Sequence, residues 1–214
     1  MPLIWYTIRV AKQFQQSFLG TDIALSTDSK EIKAVTETFG LFSDYLRPQS
    51  LAGDTMGKVE VIADVLKWQE SRNDCRYEHV LDLDVTSPLR NLDDLVQSFK
   101  IIQEDEQALN LFSVSPAKRN PYFNMVEQKD TGYFAQVVTP RDVFMTRQST
   151  PKVYDMNASF YFYKRDFFDR DYKGVVTDRS LIYEIPHICF DLDHPYDYEI
   201  ISYLIGNDKL DFAF

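Results

Sequence analysis

Two aspartates near the end of the chain are the strongest candidates for metal ligands. Asp191 and Asp193 are separated by one residue, and side chains two positions apart on an extended strand point to the same face. Two carboxylates presented together suit Mg²⁺ or Mn²⁺, whose remaining coordination positions go to water and substrate phosphates. The alternative is an acidic loop that caps the next helix, because aspartate is favourable near a helix N-terminus. Spacing alone favours the cap.

The same spacing recurs at Asp82 and Asp84, at the end of a strand predicted over 79–84. A carboxylate buried in mid-strand without a partner is costly, so Asp82 needs a cation or an edge position. Asp84 stands where the strand ends, and open α/β sheets bind ligands at the carboxyl ends of their strands. Asp84 is therefore the better functional candidate. Together the two carboxylates could also form the metal motif of a glycosyltransferase with a nucleotide-sugar donor.

Hydroxyl groups and a guanidinium follow in the turn TSPLR at 86–90, and we expect them at the same rim of the sheet. Arg47 and Arg147 are further cations that could bind an anion, although a surface arginine is the ordinary interpretation of each. The three histidines have no zinc-ligand spacing and are expected to be structural or exposed. Cys75 and Cys189 lie far apart, and each is predicted to be a buried apolar side chain rather than a nucleophile.

The composition favours one acidic domain. A chain of 214 residues with 44% hydrophobic residues can close one sizeable core, so we expect a single domain over 1–214. The formal net charge of -10 repels a phosphate backbone, which argues against nucleic acid or an anionic membrane as partner. No stretch has the pattern of a signal peptide or a membrane span, so a cytoplasmic location is expected.

The order of the predicted elements favours an α/β fold. Apolar periodicity predicts helices around 4–20, 28–40, 59–66, 91–99 and 195–204, and strands around 23–26, 79–84, 111–114 and 158–162. A polar loop over 164–178 and a short apolar run at 181–183 follow the last of these strands. Asp28 and Glu31 are spaced as a capping box for the second helix. Helices and strands alternate up to residue 114, which is typical of a parallel sheet with covering helices.

A different pattern follows residue 120. The runs 122–126 and 133–138 have strand character, and residues 129–132, Lys-Asp-Thr-Gly, between them are typical of a hairpin turn. The sequence therefore predicts a β-hairpin within about 120–155.

Several short motifs follow one another in a recognisable order: PLIWYTI at 2–8, STDSKEI at 26–32, LRP at 46–48, DT at 54–55, TSPLR at 86–90, NP at 120–121, RQ at 147–148, NA at 157–158 and DLD at 191–193. In this order they resemble the acylneuraminate cytidylyltransferases, or CMP-sialic acid synthetases, from residue 2 to about 204. The resemblance implies a three-layer α/β domain with a mostly parallel sheet, helices on both faces and a projecting hairpin.

The resemblance also implies an activity. In that family the anomeric hydroxyl of an acidic nine-carbon sugar attacks the α-phosphate of CTP, pyrophosphate leaves, and Mg²⁺ is required. Asp191 and Asp193 match the catalytic aspartates that hold the metal, which reverses the preference from spacing. On the nucleotide side, the resemblance assigns Arg47, Asp54, Thr55, Gly57 and Ser87.

On the sugar side, the resemblance assigns Asp84, Arg147, Gln148, Asn157 and Tyr161. The substrate would be N-acetylneuraminate or a legionaminate or pseudaminate relative. The segment from about 120 to 155 would be a dimerisation arm, so the resemblance implies a homodimer.

Two departures from the family pattern affect these expectations. The family has glutamine where this chain has Asp84 and proline where it has Val85, so Asp84 is expected either to read a different sugar substituent or to add a metal ligand. The family also opens with a strand and a glycine-rich phosphate loop that would precede Met1, so we expect the natural start to lie upstream. A non-catalytic relative that serves as a binding or dimerisation partner is the remaining alternative.

Overall fold

The computed structural model describes residues 1–53, 56–139, 144 and 146–214. The helices in these ranges are α1 (Leu3–Ser17), α2 (Lys30–Thr38), α3 (Lys58–Asn73), α4 (Leu92–Glu104) and α5 (Pro195–Gly206). The strands are β1 (His79–Leu83), β2 (Asn110–Pro116), β3 (Val126–Gln128), β4 (Phe134–Gln136), β5 (Tyr154–Lys164) and β6 (Ser180–Glu184). None of these helices combines the length and the apolar character that crossing a membrane requires.

The central sheet has the strand order β1-β5-β2-β6. Strands β1, β2 and β6 share one direction, because β5 pairs antiparallel with both β1 and β2 while β2 pairs parallel with β6. The sheet is therefore mixed. Between β2 and β5 the chain forms the small β3–β4 hairpin. Strand β5 then enters the sheet in the direction opposite to β2.

Helices cover both faces of the sheet, as the three-layer prediction requires. Alternate residues of β5 point to opposite faces. Phe160 and Phe162 pack in a cluster with buried residues of α1, α4 and α5, whereas Tyr161 and Tyr163 pack in a second cluster with residues of α3.

Three local predictions are wrong. Residues 23–26 form no strand; Leu25 of this extended segment packs in a small separate cluster with Ile8 and Leu41. The N-cap of α2 is Ser29, not Asp28, because the Ser29 side chain accepts a hydrogen bond from the backbone of Ile32. Cys75 is exposed, since it follows the end of α3 at the surface, whereas Cys189 is buried as predicted.

The predicted helix starts that flank the candidate site are confirmed. Asn91 caps α4 and forms a capping box with Asp94, which satisfies backbone donors at both positions. Pro195 is the first residue of α5, where its missing N–H costs nothing.

Candidate active site

Asp191 and Asp193 lie in the segment between β6 and α5, with their carboxylates unused by the helix. The backbone N–H groups of Asp193 and His194 instead donate to the carboxylate of Asp197, at 3.1 and 2.8 Å. Within the described ranges, no other side chain makes a hydrogen bond or an ion pair with the carboxylate of Asp191 or Asp193. The capping role that spacing suggested for this pair is therefore filled by Asp197, and four carboxylate oxygens remain available.

The segment that carries the two aspartates is fixed to the neighbouring loops. The backbone N–H of Leu192 donates to the carbonyl of Thr86 at 2.9 Å. The Ser87 hydroxyl donates to the carbonyl of Phe190 at 3.4 Å, and the Ser115 hydroxyl donates to that of Cys189 at 3.3 Å. Residues 189–192 are thus held beside the carboxyl ends of β1 and β2.

The local electrostatics favour a cation at this point. Burial raises the pKa of the Asp191 carboxyl, and the negative charges of Asp193, Asp84 and Asp197 raise it further. A bound divalent cation would offset this repulsion, and carboxylate oxygens are hard ligands suited to Mg²⁺ or Mn²⁺. No group of three or more ligand-type side chains in the described part of the chain is arranged to enclose a metal. Asp191 and Asp193 therefore fit a metal ion whose remaining ligands are water molecules and substrate phosphate oxygens.

Asp84 forms a second group with Lys58 and Asp82, in which one ammonium lies between two carboxylates. The Lys58 ammonium lies 2.9 Å from Oδ2 of both carboxylates, and the Thr86 hydroxyl donates to Oδ1 of Asp84 at 3.2 Å. Burial raises the pKa of the Asp84 carboxyl, but the charge and hydrogen bond of Lys58 outweigh burial and hold it below its ordinary value. Asp82 lies on β1, the first strand in the sheet order, and is paired with the Lys58 ammonium. It therefore has both an edge position and a cation to offset the cost of a carboxylate in mid-strand.

Arg90 was expected at the rim of the site but is 1% exposed. Its guanidinium donates to the carbonyls of Ser87, Ser159 and Asp84 at 2.7, 2.6 and 2.8 Å, and to the Thr7 hydroxyl at 2.8 Å. Burial lowers the pKa of Arg90 to about 10. Arg90 is therefore a buried structural residue. It connects the loop that follows β1 with strand β5 and with helix α1, a role that the sequence does not reveal.

Ser87 and Asn157 lie beneath the site rather than at its surface. Ser87 is fully buried and donates to the Asn157 carbonyl at 2.8 Å. Asn157 is 4% exposed; its side-chain oxygen accepts from Ser113 at 2.6 Å, and its side-chain nitrogen donates to Ser115 at 3.0 Å. The next residue, Ala158, has a φ of 54°, and the β2–β5 register shifts here. This bulge turns Asn157 toward β2.

Tyr161 lies on the face of β5 that carries α3. It is 5% exposed, and its register partner on β1 is Asp82. The Lys58 ammonium lies 4.4 Å from the centre of its ring, a distance at which a cation is attracted to the ring face. The structure therefore brings Tyr161 together with Asp84 through Lys58.

The predicted nucleotide-side residues are only partly described. Arg47 is half-buried and donates to the hydroxyl and carbonyl of Ser26 at 3.2 and 2.8 Å. Gly57 is the N-cap of α3, one residue before Lys58. Asp54 and Thr55 lie outside the described residues.

Arg147 and Gln148 belong to a short 3₁₀ helix, Arg147–Ser149, and both are exposed. Arg147 donates to the carbonyl of Ala117 at 2.5 Å, which holds it near the end of β2. Within the described ranges, neither makes a hydrogen bond or an ion pair with another predicted site residue. Both have side chains available to a ligand.

Comparisons with known proteins relate this chain to cytidylyltransferases. A family model described as Cytidylyltransferase matches residues 1–203. The chain is 36% identical over 211 residues to the post-translational flagellin modification protein B of Campylobacter coli, which covers 98% of this chain and 86% of that protein. It is 36% identical over 199 residues to the CMP-N,N'-diacetyllegionaminic acid synthase of Campylobacter jejuni, covering 92% of this chain and 83% of that protein.

The fold is also found in solved structures. A CMP:2-keto-3-deoxy-manno-octonic acid synthetase complexed with CTP superposes with a TM-score of 0.64 and 14% identity, over 97% of this chain and 88% of that one. A 4-diphosphocytidyl-2C-methyl-D-erythritol synthase from Anaerococcus prevotii gives a TM-score of 0.63 and 11% identity, over 95% of this chain and 86% of that one. At these identities the likeness shows the α/β nucleotidyltransferase-like fold.

Proposed function

Because the chain belongs to the cytidylyltransferase family, we propose that it transfers CMP from CTP to an acidic nine-carbon sugar with release of pyrophosphate. Its family makes it a nucleotidyltransferase. The observation that carries the proposal is the pair of carboxylates at Asp191 and Asp193, which are held in place by backbone contacts while Asp197 caps the helix.

In the proposed reaction the anomeric hydroxyl of the sugar forms a bond to the α-phosphorus of CTP, that hydroxyl loses its proton, and the bond to pyrophosphate breaks. Asp191 and Asp193 would hold Mg²⁺ or Mn²⁺, which neutralises phosphate charge when bound. The protein need not form a covalent intermediate, because such a transfer depends on positioning and charge neutralisation. The fixed loop contacts of residues 189–192 supply that positioning.

For the nucleotide we propose contacts from Arg47, Gly57 and the segment containing Asp54 and Thr55. Ser87 would act indirectly, because its buried hydroxyl holds the carbonyls of Asn157 and Phe190. The half-buried guanidinium of Arg47 is already oriented by Ser26, and such preorganisation reduces the entropy lost on binding.

For the sugar we propose Asp84, with Arg147 and Gln148 toward the sugar carboxylate. Asn157 and Tyr161 would position the sugar-binding residues without contacting the sugar over a large area, since both side chains are almost fully buried. We propose N,N'-diacetyllegionaminic acid as the preferred substrate, ahead of pseudaminic acid and N-acetylneuraminate. The 36% identity to the legionaminic acid synthase, against 28% to a pseudaminic acid cytidylyltransferase of Campylobacter jejuni, supports this order.

We also propose that the β3–β4 hairpin is a dimerisation arm. Val126, Tyr133 and Phe134 of the hairpin are 63%, 79% and 68% exposed. Exposed apolar side chains grouped on one hairpin are typical of a surface that a partner covers.

The proposal is tested by measuring pyrophosphate release with CTP, Mg²⁺ and each of the three acidic sugars in turn. We expect release with at least one sugar, fastest with N,N'-diacetyllegionaminic acid, and none when the sugar is omitted. Replacing CTP with ATP should reduce the rate strongly. Pyrophosphate release that is independent of the sugar, or absent with all three, would exclude the proposed transfer.

A further inference from the structure

The side chain of Lys58 occupies the space between Asp82 and Asp84. Lys58 is the first residue of α3, and its ammonium lies 2.9 Å from one oxygen of each carboxylate. The ring of Tyr161 lies 4.4 Å from the same ammonium. An ammonium has three N–H groups. The two carboxylates and the ring of Tyr161 therefore provide one neighbour for each N–H group.

This arrangement is the one that two carboxylates would offer to a metal ion. Asp82 lies in β1 and Asp84 directly follows it, and the same oxygen atom of each, Oδ2, accepts a hydrogen bond from a shared cation. In the sequence this pair was a candidate metal motif of a glycosyltransferase. In the structure the cation is supplied by the protein chain itself.

We propose that Lys58 is a built-in cation, which excludes a divalent metal from the Asp82–Asp84 pair and holds Asp84 as an ionised hydrogen-bond acceptor for the sugar. Lys58 is thus a positioning residue. The part that concerns the sugar rests on the proposed function, whereas the exclusion of metal does not.

The charges around the site support this role. Asp84 lies close enough to Asp191 for its negative charge to raise the pKa of that carboxyl. Without Lys58, both carboxylate groups would compete for divalent cations and would repel the triphosphate and the sugar carboxylate. The positive charge of Lys58 compensates one of the two negative charges of Asp82 and Asp84. In the described part of the chain, Asp191 and Asp193 have no such protein cation, so they remain available to a metal ion.

The fixed carboxylate also selects among sugar substituents. One oxygen of Asp84 faces Lys58 and the other accepts from Thr86, so the group cannot rotate freely. An ionised carboxylate only accepts hydrogen bonds. It therefore favours a sugar that presents an N–H or O–H donor, such as an acetamido nitrogen, over one that presents a carbonyl or ether oxygen at this position.

The metal-exclusion part is tested by Mn²⁺ titration of the full chain without nucleotide, with free Mn²⁺ followed by electron paramagnetic resonance. We expect Lys58→Met to bind one more Mn²⁺ per chain than the wild type at about 1 mM, a typical concentration for a weak carboxylate site. The double variant K58M/D84N should lose this additional ion. Lys173→Met is the matched control, because Lys173 forms an exposed ion pair with Asp171, and should bind as the wild type does.

A folded K58M protein that binds no additional Mn²⁺ would overturn the proposal. If K58M does not fold, as judged by circular dichroism, the same titration is carried out with K58Q. The glutamine amide can still hydrogen-bond to the carboxylates but carries no charge, so it too should admit the additional ion.

The sugar-reading part is tested by steady-state kinetics of Asp84→Asn. We expect the KM for the sugar to rise about tenfold or more, as for loss of one hydrogen bond to a charged group, while the KM for CTP changes less than about twofold. An equal rise in the KM for the sugar and the KM for CTP, or no rise in either, would overturn the proposed contact between Asp84 and the sugar. An inactive wild type would refute the proposed function instead, and the Mn²⁺ titration would still decide the role of Lys58.

Discussion

Asp191 and Asp193 show what one residue pattern can and cannot reveal. Two aspartates before a proline-started helix suit both a helix cap and a metal site, and spacing alone favoured the cap. The structure separates the two roles, because Asp197 accepts the backbone hydrogen bonds of the cap. Which carboxylate caps a helix depends on the backbone path, which spacing alone does not reveal. The metal-binding role of Asp191 and Asp193 stays a prediction.

Replacing either aspartate tests this assignment. Asp191→Asn and Asp193→Asn should each lower kcat by about 10²-fold or more, because a neutral amide holds a divalent cation poorly and phosphate charge is then less compensated. Steady-state assays of pyrophosphate release measure this. The melting temperature should stay near that of the wild type, since neither carboxylate makes a hydrogen bond or an ion pair with another side chain within the described ranges.

Asp171→Asn is the matched control for these two variants. It makes the same chemical change at an exposed ion pair and should leave kcat unchanged. Full activity of D191N and D193N together with the control would remove the carboxylate pair from the mechanism.

Arg90 is the residue whose position departs furthest from the expectation based on sequence. A long cation after a strand is usually at the surface, and only the fold shows that five acceptor atoms surround its guanidinium. Arg90→Met should lower the free energy of unfolding by at least about 3 kcal/mol, because several buried acceptors lose their donor. Urea denaturation measures this change.

The exposed Arg170 provides the comparison. Arg170→Met should change the free energy of unfolding by less than about 0.5 kcal/mol. If R90M were as stable as R170M, the buried network would not hold the loop after β1 in the way the structure indicates.

At the scale of elements, His187 joins the C-terminal segment to the start of α4. Its Nε2 lies 3.0 Å from Oδ2 of Asp94, and its ring stacks on Phe212 at 3.8 Å. Burial lowers the pKa of His187, but the hydrogen bond to Asp94, with a contribution from the Ile188 carbonyl, outweighs burial and raises it overall.

The raised pKa predicts a pH-dependent stability. A histidine whose folded-state pKa exceeds its unfolded value contributes stability that is full below the unfolded pKa of about 6.5 and is lost as pH rises through the folded value. The difference in unfolding free energy between the wild type and His187→Gln should therefore be larger at about pH 6 than at about pH 8.5. A difference that does not vary with pH would show that the ion pair adds nothing to stability.

The elements themselves were largely predictable because their periodicity and caps are local features. Asn91 and Pro195 marked helix starts correctly. The direction of β5 was not predictable, since it depends on the path that the chain takes after β2. The segment around Leu25 has the apolar pattern of a strand, yet a strand also needs a hydrogen-bonding neighbour, which a local pattern cannot supply.

At the scale of the whole molecule, the proposed dimer depends on the hairpin. The double variant V126S/F134S should shift the protein from twice the mass of the chain to the mass of one chain, because it removes two exposed apolar side chains from the proposed interface. Size-exclusion chromatography with light scattering measures this. Dimerisation that persists in the variant would place the interface elsewhere, and a monomeric wild type would exclude the arm.

The central claim, transfer of CMP to an acidic nine-carbon sugar, is tested most directly by identifying the product. We would follow CTP, Mg²⁺ and N,N'-diacetyllegionaminic acid with the wild-type chain by phosphorus NMR and mass spectrometry. We expect a CMP-sugar and pyrophosphate in equal amounts, with formation abolished in D191N. Unchanged CTP with this sugar, pseudaminic acid and N-acetylneuraminate alike would contradict the claim.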